Sequence, residues 1–244
     1  IYESFDVKNH AEITLEANPT TVAELPKRLE FFKRLGVNRL SLGVQSFSEK
    51  ELEALGRGHS PQDAINTVKL ARFMGFDNIS LDLMLRIPHQ TLDTFKESLA
   101  VAQSLSPEHL SLYTLSIEEN TIFGHRAKKG DSLYLVGEES EEEMYFFASD
   151  ELSSFGYEHY EVSNFAKDKR YSRHNLKYWN AEEYIGIGAS AHAYLDGERF
   201  YYNRSINSFI EKPTKVSGRE ALTDKERALE KVMLSLRLKW GIDI

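Results

Sequence analysis

The sequence contains no cysteine. Disulfides, thiolate zinc sites, cysteine nucleophiles and thiolate-held iron–sulfur clusters are therefore excluded from these 244 residues as they stand. Long apolar runs are missing too: no stretch approaches the roughly 18 residues of a membrane-spanning helix, and the first residues lack the order of a secretory signal. The expected location is the cytoplasm. Positive charge is in deficit, with 30 Lys+Arg against 38 Asp+Glu and a net charge of −8, which argues against a surface that tracks nucleic acid phosphates. The chain opens on Ile1 rather than Met, so a trimmed amino end is expected. What is present is 41% hydrophobic residues, enough for a buried core.

The apolar pattern switches repeatedly between two periods. Ala11 to Ala17 alternates Ile13, Leu15 and Ala17 with Glu12, Thr14 and Glu16, as a strand does. Thr21 with Glu24 reads as a capping box for a helix that stops near Gly36. Arg39 to Gln45 is the next strand, Ser48 with Glu51 repeats the box, and Ser60-Pro61 opens a helix running to Gly75. Strands at Asn78–Leu85, His109–Leu115 and Tyr157–Val162 then alternate with helices at Leu92–Ser104 and Glu138–Ser154. This order means parallel βαβ units. Ser163 to Arg173 is polar and basic and reads as a loop, Asp196-Gly197 is a hairpin turn, and Thr223 with Glu226 caps a last helix whose expected buried side is Ala228, Leu229, Val232, Met233 and Leu236.

Within the parallel strands only one face is greasy. Leu40, Leu42 and Val44 point one way and Ser41, Gly43 and Gln45 the other; Ile79, Leu81, Leu83 and Leu110, Leu112 repeat the split. A doubly wound sheet should be apolar on both faces. A barrel or partial barrel with a cavity inside accounts better for the pattern. Ligands of such barrels sit at the C-terminal strand ends, where Glu16, Gln45 and Asp82 fall, with Arg57 in the segment after the second strand. Two carboxylates, an amide and a guanidinium can hold a zwitterion or a ribose; glycoside hydrolysis by Glu16 and Asp82 is a weaker reading. The expected division is a barrel core over 1–162, its completion over 163–220 and the start of a helical region over 221–244.

The stretch Arg173-His174-Asn175-Leu176-Lys177-Tyr178-Trp179 joins an imidazole to flat aromatics, with Lys167, Lys169 and Arg170 close by in sequence. Imidazole can ligate a metal or an iron porphyrin, and the cations can meet propionates or phosphates. Single-stranded nucleic acid fits such a mixture in principle, and the net charge opposes it. The acidic run Glu138 to Glu143 suits a helix first turn. Gly186-Ile187-Gly188 reads as a close backbone approach rather than a dinucleotide loop.

At Glu16-Ala17-Asn18-Pro19, Leu40-Ser41-Leu42-Gly43-Val44-Gln45-Ser46-Phe47, Leu55-Gly56-Arg57-Gly58-His59 and Tyr160-Glu161-Val162-Ser163-Asn164-Phe165 the sequence resembles the radical S-adenosylmethionine (SAM) enzymes related to oxygen-independent coproporphyrinogen III oxidase. Within that family, His174-Asn175-x-x-Tyr178-Trp179 is similar to the motif of the heme-chaperone (HemW) branch. The resemblance implies a three-quarter (β/α) barrel in which Glu16, Gln45, Arg57 and Asp82 contact SAM, itself chelated to a [4Fe–4S] cluster. It implies heme near His174, Asn175, Tyr178 and Trp179, with His174 as iron ligand, and an acceptor protein for the heme. The alternative it carries is an oxidase acting on porphyrinogen propionates. Two departures stand out: the family's cluster cysteines would lie upstream of Ile1, and Leu85-Arg86 stands where the family has Tyr-Gly.

Overall fold

A computed structural model of the chain describes residues 5–19, 26–130 and 138–242. Strands β1 (Thr14–Ala17), β2 (Arg39–Gln45), β3 (Ile79–Leu85) and β4 (His109–Thr114) pair in parallel in that order. Helices α1 (Pro26–Arg34), α2 (Glu49–Ala54), α3 (Pro61–Phe73) and α4 (Leu92–Ser104) connect them. After β4 come α5 (Ile122–Lys128), α6 (Glu138–Ser154), β5 (Glu158–Glu161) and β6 (Asn164–Ala166). The sheet runs β1-β2-β3-β4-β6-β5 and is open, with β1 and β5 at its edges. The expected α/β architecture is present, with parallel βαβ units over β1 to β4, and among the described residues the sheet is not closed into a ring.

The split of faces explains why the helices pack on one side. Leu40, Leu42, Val44, Ile79, Leu81, Leu83, Leu110 and Leu112 are buried together with helix residues such as Leu29, Val68, Phe95, Leu99 and Leu152. Full burial of each such side chain stabilises by roughly 1.5–3 kcal/mol, so this face fixes the strand register. Local signals agree with it at two helices. Ser60 and Asp63 form a reciprocal capping box ahead of Pro61 at the start of α3, and Thr91 and Thr94 do the same for α4.

Several expectations are corrected. The box expected from Ser48 and Glu51 is not made: the Ser48 side chain gives α2 no cap hydrogen bond, because Glu51 turns inward to buried polar partners. The polar stretch after Val162 is not all loop, since Asn164–Ala166 forms β6 and pairs antiparallel with β4; Phe165 opposite Leu110 belongs to the core. The acidic run is more than a helix start, for Glu141 accepts from Arg86 at 3.0 Å and from Thr114 at 2.6 Å. The proposed box at Thr21 and Glu24 lies outside the described residues.

Two units separate in the chain: Ile1–His159 with Ser163–Tyr171, and Tyr160–Val162 with Ser172–Ile244. The second holds α7 (Arg173–Trp179), β7 (His192–Leu195), β8 (Glu198–Tyr202), α8 (Ile206–Glu211), β9 (Val216–Ala221) and α9 (Asp224–Ser235). Strands β7, β8 and β9 form an antiparallel sheet. Asp196 and Gly197, at φ 52° and 77°, make the β7–β8 turn. Gly186 does lie close to backbone, as a Cβ there would stand 2.0 Å from the His192 carbonyl oxygen. Thr223 and Glu226 box the start of α9. The expected buried side of that helix is overturned: Leu229, Val232, Met233 and Leu236 are 59%, 41%, 67% and 68% exposed, and Ala228 is exposed too. The helix instead turns Ser235 inward and pairs Glu230 with Arg199, so its apolar stripe faces out.

Candidate functional site

On the polar face of the sheet, strand register sets side chains side by side. Glu16 stands opposite Ser41, and Asp82 opposite Ser111. Ser41 donates to the two Asp82 oxygens at 3.4 and 3.5 Å. Toward the N-terminal strand ends, Arg39 and His109 are buried, and Ser80 Oγ meets His109 Nδ1 at 2.8 Å. Burial pushes the Asp82 carboxyl up to about 6, against the opposing hydrogen bond from Ser111 and the charge of Arg39; the Glu16 carboxylate pushes the same way as burial. His109 is held well below the ordinary range, first by burial and then by Arg39.

The strand ends are shaped by an irregularity. Between Leu42 and Gln45 the β2–β3 register slips, Leu42 facing Leu81 but Gln45 facing Leu83. One extra residue on β2 makes a bulge, a device common beside binding sites. Gln45 leaves it at φ 68°. A Cβ on Gly43 would stand 2.8 Å from Gln45 Nε2 and 3.1 Å from Asn18 Oδ1, so the glycine leaves room where those two amides converge. Arg57 Nη1 donates to the same Asn18 oxygen at 3.4 Å. Two positions along, buried His59 donates through Nε2 to the Val44 carbonyl at 3.1 Å, and burial lowers its pKa.

Register thus sets Glu16 and Asp82 beside Ser41 on the polar face, while Gln45 and Arg57 each approach Asn18 at the C-terminal ends of β1 and β2. The sequence reading missed Asn18, Arg39 and His59 as members. Asn18 and His59 stand inside quoted motifs, and the alternation of β2 puts Arg39 on the face of Ser41. The donor types suit SAM: carboxylates for an ammonium or sulfonium, amides and a guanidinium for hydroxyls and a carboxylate.

In the second unit the motif His174–Trp179 is helix α7, capped by Ser172, whose hydroxyl accepts from the Asn175 N–H. His174 is exposed. Its Nε2 meets the Tyr178 hydroxyl at 2.7 Å, and Tyr178 packs edge-on against Tyr184, ring centroids 4.6 Å apart. Trp179 is placed differently, its ring under the Arg237 guanidinium at 4.2 Å. A cleft of about 190 Å³ beside Tyr178, Tyr184, Tyr194 and Arg199 is smaller than the roughly 300–1,000 Å³ of enclosing ligand sites. Two of the expected basic neighbours act in the first unit: Lys167 lies over the Tyr157 ring and Arg170 pairs with Asp77.

The radical SAM superfamily profile matches residues 2–102. Residues 2–102 are thus similar to a radical SAM domain. It is 39% identical over 236 residues, 95% of this chain and 62% of the relative, to a protein of Bacillus subtilis named heme chaperone HemW. It is 44% identical over 185 residues, 75% of this chain and 46% of the relative, to heme chaperone HemW of Escherichia coli. Among solved structures, coproporphyrinogen III oxidase (HemN) from Escherichia coli superposes with a TM-score of 0.83 at 21% identity, over 99% of this chain and 58% of that one. That likeness is one of fold. The chain thus spans about half to two-thirds of the length of these HemW relatives. Radical SAM proteins as a family bind SAM and a [4Fe–4S] cluster. Among the described residues no helix is long and apolar enough to cross a membrane.

Proposed function

We propose that this radical SAM chain is part of a cytoplasmic heme chaperone of the HemW type, which carries heme and passes it to an acceptor protein. Glu16, Gln45, Arg57 and Asp82 bind SAM, and His174 offers its imidazole to heme iron, with Asn175, Tyr178 and Trp179 building the helix that presents it. Cluster ligation falls to residues outside this cysteine-free sequence. The single observation that carries the reading is the exposed imidazole of His174 on a short capped helix, in a chain 39% identical to a protein named heme chaperone. A surface site suits a cargo that must leave again.

The test is a hemin titration followed at the Soret band, with His174→Ala beside the wild type. The expected result is saturation near one equivalent, weakened about tenfold or more in the variant, a difference of 1.4 kcal/mol. Equal titration of both proteins removes His174 from the site, and unsaturable binding by both removes the heme reading.

A further inference from the structure

The first unit holds a buried polar cluster that touches none of the proposed ligand contacts directly. At its centre is Glu51, only 1% exposed. Its Oε2 accepts from Ser46 Oγ at 2.7 Å and Gln90 Nε2 at 3.2 Å, and its Oε1 from Thr94 Oγ1 at 2.6 Å. A carboxylate hidden from water and supplied with three donors is a costly arrangement. A helix of six residues does not need it for its own sake.

The partners explain it. Gln45 and Arg86 both hold positive φ, 68° and 62°, a region that side-chain-bearing residues keep only when their surroundings impose it. Each is bracketed by hydrogen bonds, the cluster supplying the far side of Gln45 and both sides of Arg86. Before Gln45, the Val44 carbonyl accepts from His59; after it, Ser46 is tied to Glu51 and to Ser98, whose hydroxyl is 3.3 Å from that of Ser46 and accepts from the Phe47 N–H at 3.1 Å. Around Arg86, one side chain does both jobs: Gln90 donates to the Met84 carbonyl at 3.0 Å and accepts from the Ile87 N–H at 3.2 Å. Glu51 joins the two brackets.

We propose that Glu51 is a positioning residue for the cofactor site, clamping the exits of β2 and β3 so that Gln45 and the end of the Asp82 strand hold their places. This rests on the SAM reading above. The conservative variant Glu51→Gln keeps the clamp, because its carbonyl oxygen can face Ser46 and Gln90 while its amide donates to Thr94. Glu51→Leu removes all three acceptor contacts.

The experiment measures SAM affinity by anaerobic equilibrium dialysis on the full-length, cluster-reconstituted protein, at a temperature well below each variant's Tm. Glu51→Leu is expected to bind about 10–100-fold more weakly, the scale seen when partners behind a binding shell are lost, and Glu51→Gln to restore affinity close to wild type. A merely structural role lowers the Tm of Glu51→Leu and leaves the affinity of the folded protein alone, which overturns the proposal. If Glu51→Leu does not fold, Ser46→Ala carries the test: weaker binding supports the clamp and unchanged binding overturns it. Wild-type protein that binds no SAM overturns the SAM reading together with the clamp, whereas tight wild-type binding with unaltered variants overturns the clamp alone.

Discussion

The hydroxyl of Tyr178 lies 2.7 Å from Nε2 of His174, one helical turn away. When Nε2 is the unprotonated nitrogen, the hydroxyl donates to the same lone pair that iron would take. Tyr178→Phe is therefore expected to tighten hemin binding about fivefold, the equivalent of a hydrogen bond worth about 1 kcal/mol. The gain should vanish in the His174→Ala background. Soret titrations of the four proteins check it, and an unchanged single variant removes the competition.

Asp82 predicts a trade between stability and binding. Its carboxyl is raised to about 6 in the folded chain, above its unfolded value. The folded state thus holds its proton more tightly, so this contribution to stability is complete at low pH and is lost as pH rises through 6. At 1.36 kcal/mol per pKa unit, the ionised carboxylate costs up to about 3 kcal/mol at neutral pH. Asp82→Asn should match wild-type stability near pH 4 and exceed it above pH 7 in urea unfolding, while losing affinity for SAM. A variant less stable than wild type at neutral pH would contradict the sign.

Gly43→Ala tests the space at the bulge. The Cβ would press on Gln45 Nε2 and Asn18 Oδ1, both ends of flexible side chains, so the fold should survive with a change in stability of less than about 1 kcal/mol. Binding should suffer more, because the two amides must move from where they converge. A SAM dissociation constant unchanged from wild type would show that the placement of those two amides does not serve binding.

Arg86 separates backbone strain from charge. Its φ of 62° favours glycine, while its guanidinium pairs with Glu141 at 3.0 Å with both side chains 28% exposed. Such a pair is worth about 0.2–1 kcal/mol. Arg86→Gly loses the pair and regains the strain, and should be near neutral; Arg86→Ala loses the pair and keeps the strain, and should be the less stable of the two. Urea midpoints compare them directly.

Much of the first unit was legible because long strands and long helices state their period clearly. Arg39–Gln45 and Leu92–Ser104 fall where the pattern puts them. At three residues, β6 is too short to show a period, and its antiparallel pairing depends on β4 being there to receive it. Ser48 and Glu51 carry the spacing of a capping box, yet the buried hydroxyls and amide of Ser46, Thr94 and Gln90 compete better for that carboxylate. Alternation placed Glu16 and Asp82 on the polar face, but it runs straight through Gly43 and Val44 and hides the bulge that aims Gln45. For α9 the apolar spacing was plain, and spacing alone does not say which side meets the protein.

That outward stripe has a practical consequence. Leu229, Val232, Met233 and Leu236 lie side by side on a well-capped helix, a ready surface for hydrophobic dyes and resins. Fluorescence from such a dye should be high in this folded chain before any heating. Melting curves followed that way would start from a raised baseline, so circular dichroism or urea unfolding is the sounder gauge for every variant above.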